Sequence, residues 1–261
     1  MKKFNYINIF WLHSKINLKL KYKQSVIGLM WSFIKPTITI VTYAVIFGLF
    51  AKIDFKNTVP YSVYLCSGFV IWLPFSSCIN DGFRLLTDRG QFIRNTKIPS
   101  FILAFSNFLI LIIDLLTISI IFFILCFFFN FDFMSIKLLF IFFPFILLII
   151  LSLSLNLILS TMFIKFRDIS HLIGIILHVG AFLTPIIYQI KIIPEKFLFF
   201  YELNPLVGII EFFRWTTNIN PEFNLLLFCK SLIIICLTVI ISIFTYFKNK
   251  KKLQNFFSLF F

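Results

Sequence analysis

Residues 98–131 read IPSFILAFSNFLILIIDLLTISIIFFILCFFFNF, and Asp114 is the one charged side chain among them. A soluble helix turns a polar face to water, and this stretch has none. An apolar run longer than roughly 18 residues is the mark of a bilayer-spanning helix. The pattern recurs on both sides. Residues 36–51, 57–80, 138–164, 172–190 and 231–247 are also apolar, so the sequence predicts an all-α integral membrane protein with six transmembrane helices. The shortest run, 36–51, reaches about 24 Å at 1.5 Å per residue. Lys35 and Lys52 at its ends are therefore expected to snorkel toward the two surfaces.

The gaps between these runs alternate in charge. The N-terminus, the second gap, the fourth gap and the C-terminus hold 17 of the 24 Lys and Arg; the other gaps hold seven. Basic loops stay in the cytosol, so the alternation predicts both termini there. Counted with its acids, the basic side carries +14 and the other side +1; Asp114, inside a span, brings the total back to +14. That charge on a soluble protein would suggest a nucleic-acid partner. Here it belongs to one membrane face, so anionic lipid headgroups are the expected partner and nucleic acid is not.

Composition agrees. The chain is 60% hydrophobic and 13% charged, with a mean hydropathy of +1.00, against roughly 45–50% and 25% in soluble domains. All 261 residues are assigned to a single transmembrane domain. Cys66, Cys78, Cys126, Cys229 and Cys236 form no C-x-x-C pair, so neither a disulfide framework nor a zinc site is indicated.

Three segments break the pattern. Residues 1–35 place Phe4, Ile7, Trp11 and Leu18 at helical spacing among Lys and Asn, as an amphipathic helix in the membrane interface would. In residues 81–97, Phe83, Leu85, Leu86, Phe92 and Ile93 are interspersed with charges, which predicts a short amphipathic helix between spans two and three. Residues 191–224 are too apolar for a solvated loop and are divided by Pro194 and Pro205. They predict two re-entrant helices on the outer side, their broken backbone covered by protein.

No Walker A loop, H-E-x-x-H or G-x-S-x-G occurs, and His13, His171 and His178 lack metal-ligand spacing. A transport function therefore outranks enzyme chemistry, with no catalytic residues and no metal. A carboxylate within a span faces a bundle interior or a wet cavity. Asn107, Asp114 and Thr117 share one helical face, and Ser152, Asn156 and Ser160 form a stripe on the next span. The two stripes are expected to face each other as a polar clasp; lining of a pathway is the other reading of Asp114, and also of His178. Aromatic residues gather near span ends, Tyr43, Phe47, Trp72 and Phe75 among them. They suit an interfacial belt or a platform for the apolar faces of sugar rings. In the short turn Phe166–Arg167–Asp168, the two charges are expected to form a salt-bridged corner.

Residues 22–36, YKQSVIGLMWSFIKP, carry a family resemblance through Tyr22, Lys23, Ser25, Gly28, Trp31 and Pro36. LCSGFVIW (65–72), IRNTKIP (93–99), FRDISHL (166–172), LTPIIY (183–188), IPEKF and LNPLVGIIEFFR (203–214) follow in matching order. The chain resembles the membrane permease subunits of ATP-binding-cassette polysaccharide exporters, of the O-antigen, capsule and teichoic-acid type. Lys35 departs from the small polar residue often found before the proline. The resemblance implies a homodimer in the bacterial inner (plasma) membrane, with separate ATPase subunits that hold ATP and Mg, none being bound by this chain. It implies a lipid-linked polysaccharide as cargo. ATPase coupling would then fall to Phe83, Arg84, Leu85, Leu86, Arg89, Phe92 and Arg94. Arg84, Arg89, Arg94 and Lys97 would meet a carrier or headgroup. Tyr43, Phe47, Trp72, Phe75, Asp114 and His178 would line the pathway, and Pro194, Phe200, Tyr201, Pro205 and Trp215 would form an outer gate.

Overall fold

The computed structural model describes residues 6–23, 27–51, 59–88 and 100–260, and every regular element among them is helical. Helix α1 spans Tyr6–Tyr22. One tight turn at Gly28–Met30 leads into α2, Trp31–Tyr43, which continues in wider turns to Phe50. Then come α3 (Tyr61–Gly82), α4 (Leu85–Asp88), α5 (Ser100–Phe105), α6 (Phe108–Phe128) and α7 (Phe142–Phe163). The chain ends with α8 (Ile169–Leu183), α9 (Glu195–Glu202), α10 (Pro205–Thr216) and α11 (Leu225–Phe260).

Among the described residues, five helical stretches are long and apolar enough to cross a membrane: Gly28–Phe50, Tyr61–Thr87, Phe101–Phe128, Ile136–Phe163 and Leu225–Asn249. The expected sixth span, 172–190, holds a shorter helix. Its helix α8 has 15 residues, about 22 Å, against a hydrocarbon core of roughly 30 Å. The cause is Pro185, whose ring disfavours helical backbone at the residue before it. Thr184 is extended, with φ −102° and ψ 137°.

Helix α3 is the hub. Fifteen of its 22 residues are buried, and it packs against α2, α6, α7, α8 and α10. Between helices in lipid, apolar burial gives little drive, so close approach and polar links hold the bundle. Gly68 allows one such approach: a Cβ there would stand 2.9 Å from Ile186 Cγ2 and 3.0 Å from its Cα. Gly82 allows another, with Asn156 seated directly against it.

The two polar stripes do not face each other as expected. Asn107 of α6 and Asn156 of α7 both donate to the Cys78 carbonyl of α3, each at 3.1 Å. The clasp is three-helical because α3 lies between the two stripes. Thr117 donates to Asp114 O on its own helix at 2.9 Å, while the Asp114 carboxylate turns toward α1.

Helix α1 is amphipathic, with its polar strip facing inward. His13, Ser14 and Asn17 are buried against α5 and α6, and Asn17 Nδ2 donates to Ser106 Oγ at 2.6 Å. Ile7 and Trp11 are exposed, with the Trp11 ring edge-on to Phe108 of α6 at 6.2 Å, and Leu18 is half-buried; Phe4 lies outside the described residues. Asn8, Lys15 and Lys19 are exposed as well, so the outward side mixes polar and apolar side chains.

Candidate functional site

A cavity of about 580 Å³ opens between α1, α2, α3, α6 and α8. Tyr43, Trp72, Asp114 and His178, singled out separately in the sequence, all line it. Phe47 stacks on Tyr43, ring centroids 5.8 Å apart and planes at 27°, without entering the wall. Phe75 is buried against Trp72 and also stands behind the wall. Between the aromatic faces lie neutral polar groups, among them Ser32, Thr39, Ser76 and Asn80.

Sequence reasoning missed Lys21, the residue that organises this wall. Its ammonium donates to Ser77 Oγ at 3.0 Å and Asp114 Oδ2 at 3.1 Å, and lies 3.2 Å from Asp81 Oδ2. Ser77 in turn donates to Asp114 Oδ2 at 2.7 Å. Burial acts to lower the Lys21 pKa, but Asp114 and Asp81 outweigh it and hold it above the ordinary lysine value. A hydrogen bond between Tyr22 and Ser32 ties the end of α1 to α2. A signal for Lys21 existed: Ser14, Asn17 and Lys21 recur at three and four residues, on the polar strip that faces the bundle.

At the other end of α3, the break after α8 releases a run of carbonyls, and side chains meet four of them. Arg214 Nη1 donates to Pro185 O at 2.8 Å and Nη2 to Ile186 O at 3.2 Å. Tyr61 donates to Ile187 O at 3.2 Å and Tyr64 to Tyr188 O at 2.9 Å. Arg214 is completely buried. It also donates to Ser67 Oγ at 3.1 Å and Glu211 Oε1 at 2.9 Å, and lies 3.7 Å from the centroid of the Tyr64 ring. Asn204 Oδ1 caps α10 by accepting from the Leu206 N–H, and its Nδ2 donates to Thr184 Oγ1 at 3.0 Å. Arg214, too, was absent from the predicted site.

The predicted gate residues separate. Pro194 precedes α9 and Phe200 is exposed on it. Tyr201 shares a 2.8 Å hydrogen bond with Tyr188. Pro205 starts α10. Trp215 packs among Phe212 and Phe223, with Lys137 Nζ 5.4 Å above its ring.

The predicted coupling residues separate as well. Phe83 is buried and meets the Phe163 ring edge-on at 5.0 Å. Leu86 is buried with Leu103, Ala104, Leu157 and Tyr246. Arg84 is exposed and Leu85 half-buried. Arg89, Phe92, Arg94 and Lys97 lie outside the described residues. Arg167 and Asp168 form no ion pair with each other among the described residues, which corrects the expected salt-bridged corner. Asp168 instead accepts the His171 and Leu172 N–H groups through its carbonyl, at the start of α8.

Residues 9–219 match the family model of the ABC-2 type transporter. The chain is 27% identical over 238 residues to an O-antigen export system permease protein RfbA of Klebsiella pneumoniae, covering 90% of each chain. It is 22% identical over 206 residues to the protein of that name from Myxococcus xanthus, covering 76% of this chain and 75% of the relative. These matches bear out the resemblance carried by residues 22–36 and the motifs after them. With the five apolar helices, they make this protein a multi-pass membrane component and a member of the ABC-2 type transporter family.

Proposed function

We propose that this chain is the transmembrane half of an ATP-driven exporter that moves a lipid-linked polysaccharide from the cytosol across a bacterial inner membrane. Two copies pair, and separate subunits bind and hydrolyse ATP with Mg. Both termini are cytosolic, Ile169–Leu183 and the residues after it complete a sixth crossing, and α9 and α10 form the outer re-entrant segment. The 81–97 segment conveys the ATPase stroke, with Arg84 on its exposed side.

The observation that carries the reading of the cargo is the lining of the 580 Å³ cavity. Aromatic faces from Tyr22, Trp31, Tyr43 and Trp72 alternate with hydroxyl and amide groups. Its two lysines, Lys21 and Lys35, are matched in number by Asp81 and Asp114. A ring with apolar C–H faces and neutral hydroxyls suits that wall better than a diphosphate does. The relatives' description as O-antigen export permeases points the same way.

The test uses inverted membrane vesicles containing the chain and its ATPase, loaded from outside with radiolabelled lipid-linked glycan. ATP-dependent uptake is expected, falling several-fold in Tyr43→Ala. Uptake of amphipathic drugs or short-chain lipids, with no uptake of glycan, would overturn the proposed cargo.

A further inference from the structure

The segment after α8 holds its two helices in opposite ways. Nine of the 12 residues of α10 are buried. Gly208 brings it against Ser231 of α11, Arg214 fixes it to Ser67 of α3 and to the broken end of α8, and Asn204 ties its start to Thr184. None of the eight residues of α9 is buried. Among the described residues, two side-chain polar links reach it. Tyr201 pairs with Tyr188 at 2.8 Å, and Glu202 pairs with Lys230 at 2.5 Å. The second is a half-exposed ion pair of the kind that contributes little. Phe197, Phe199 and Phe200 stand exposed along the helix.

The chain on either side of α9 is suited to pivot. Pro194 before it and Asn204 after it are both non-helical, with ψ of 140° and 110°. Hinge motion is absorbed at a few such element-terminal residues. Pulling α10 away would strand a buried guanidinium and two carbonyls, whereas none of α9's own residues is buried.

We infer that the segment divides into a fixed frame and a moving strap. Helix α10 and residues 184–188 stay bolted to α3 by Arg214, and α9 alone swings between Pro194 and Asn204 when its links to Tyr188 and Lys230 break. Arg214 is then a positioning residue that keeps the frame still while the strap moves. This division rests on the exporter reading above, in which the segment gates the outer end.

Hydrogen–deuterium exchange on the full chain with its ATPase, in lipid nanodiscs, tests it. Under ATP turnover, amides of 196–203 are expected to gain exchange several-fold over the nucleotide-free complex, while those of 206–216 hold constant. In the resting chain, Tyr201→Phe and Glu202→Gln are each expected to raise exchange in 196–203 and leave 206–216 unchanged. Equal gains in both helices, or none in α9 in either experiment, overturn the division. A complex that exports glycan yet opens both helices together overturns the division alone. A chain that assembles with no ATPase overturns the exporter reading with it.

Discussion

Lys21 and Asp114, 93 residues apart in the chain, meet at 3.1 Å and fasten α1 to a membrane span. A lone carboxylate at bilayer depth costs roughly 2.5–3.5 kcal/mol, and an interhelical hydrogen bond returns about 0.6 kcal/mol. The ion pair therefore decides whether Asp114 is tolerated, ahead of its bond from Ser77. Lys21→Met is expected to destabilise the protein, and adding Asp114→Asn to recover most of the loss. A double-mutant cycle read by thermal unfolding in detergent should give a coupling on the order of 1–3 kcal/mol. Additive single effects would show that the two residues do not act as a pair.

The lysine also sets a pH window. Its folded pKa is raised, so its contribution is complete below the unfolded value of about 10.5 and is lost as pH climbs through the folded value. The Tm difference between the wild type and Lys21→Met should stay flat from about pH 7 to about pH 9.5 and shrink above that. A difference that fades through the neutral range would mean that a group other than Lys21 governs it.

Arg214 answers to four acceptors from inside the core. Removing it leaves carbonyls without donors and Glu211 without its cation, for a loss of about 3–5 kcal/mol. Arg214→Lys should recover little, because an ammonium lacks the planar fork that reaches Pro185 and Ile186 together. Both variants should show reduced amounts of folded protein by fluorescence-detection size exclusion. Full recovery by lysine would reduce the site to a point charge.

Gly68 and Gly174 offer a matched contrast. A Cβ on Gly68 would press on the Ile186 backbone, whereas one on Gly174 meets nothing within 4 Å. Gly68→Ala is expected to cost about 1–3 kcal/mol through overpacking. Gly174→Ala should be neutral, or stabilising by about 0.5–1 kcal/mol through helix propensity. Thermal unfolding of the two variants side by side checks both signs.

Phe83 and Arg84 are adjacent and should fail differently. Phe83 is buried, so Phe83→Ala should lower stability by about 3 kcal/mol. Arg84 is exposed, so Arg84→Glu should leave the melting temperature unchanged while weakening substrate stimulation of the ATPase. ATPase activity set beside Tm separates the two; equal stability losses would place Arg84 in the core as well.

Much of this arrangement is legible in the chain. The apolar runs and the single carboxylate of 98–131 disclose the membrane class, and the prolines of 191–224 disclose two short helices. Asp114 stands out because charge is rare where it sits. Its partner does not, because Lys21 is one of several lysines in a basic stretch and reads as an ordinary interfacial cation. Only the inward orientation of α1 separates it from Lys19 and Lys23. Arg214 hid for a related reason. In IIEFFRW it passes as a surface charge on an interrupted segment, and nothing local shows that the acceptors it serves lie 28 and 29 residues upstream. The length of α8 was misjudged because apolar composition continues through 184–190, while the backbone obeys Pro185.

The four capped carbonyls also impose an order on synthesis. Tyr61, Tyr64 and Ser67 leave the ribosome before the break at 184–188, but Arg214 follows it by 28 residues from Ile186. At roughly 5–20 residues per second, Pro185 and Ile186 spend on the order of seconds without their donor. The newly inserted chain therefore carries a polar gap at its far end that no earlier residue fills. A polypeptide halted before Arg214 would hold the first four apolar spans, lack α11 and leave that gap open.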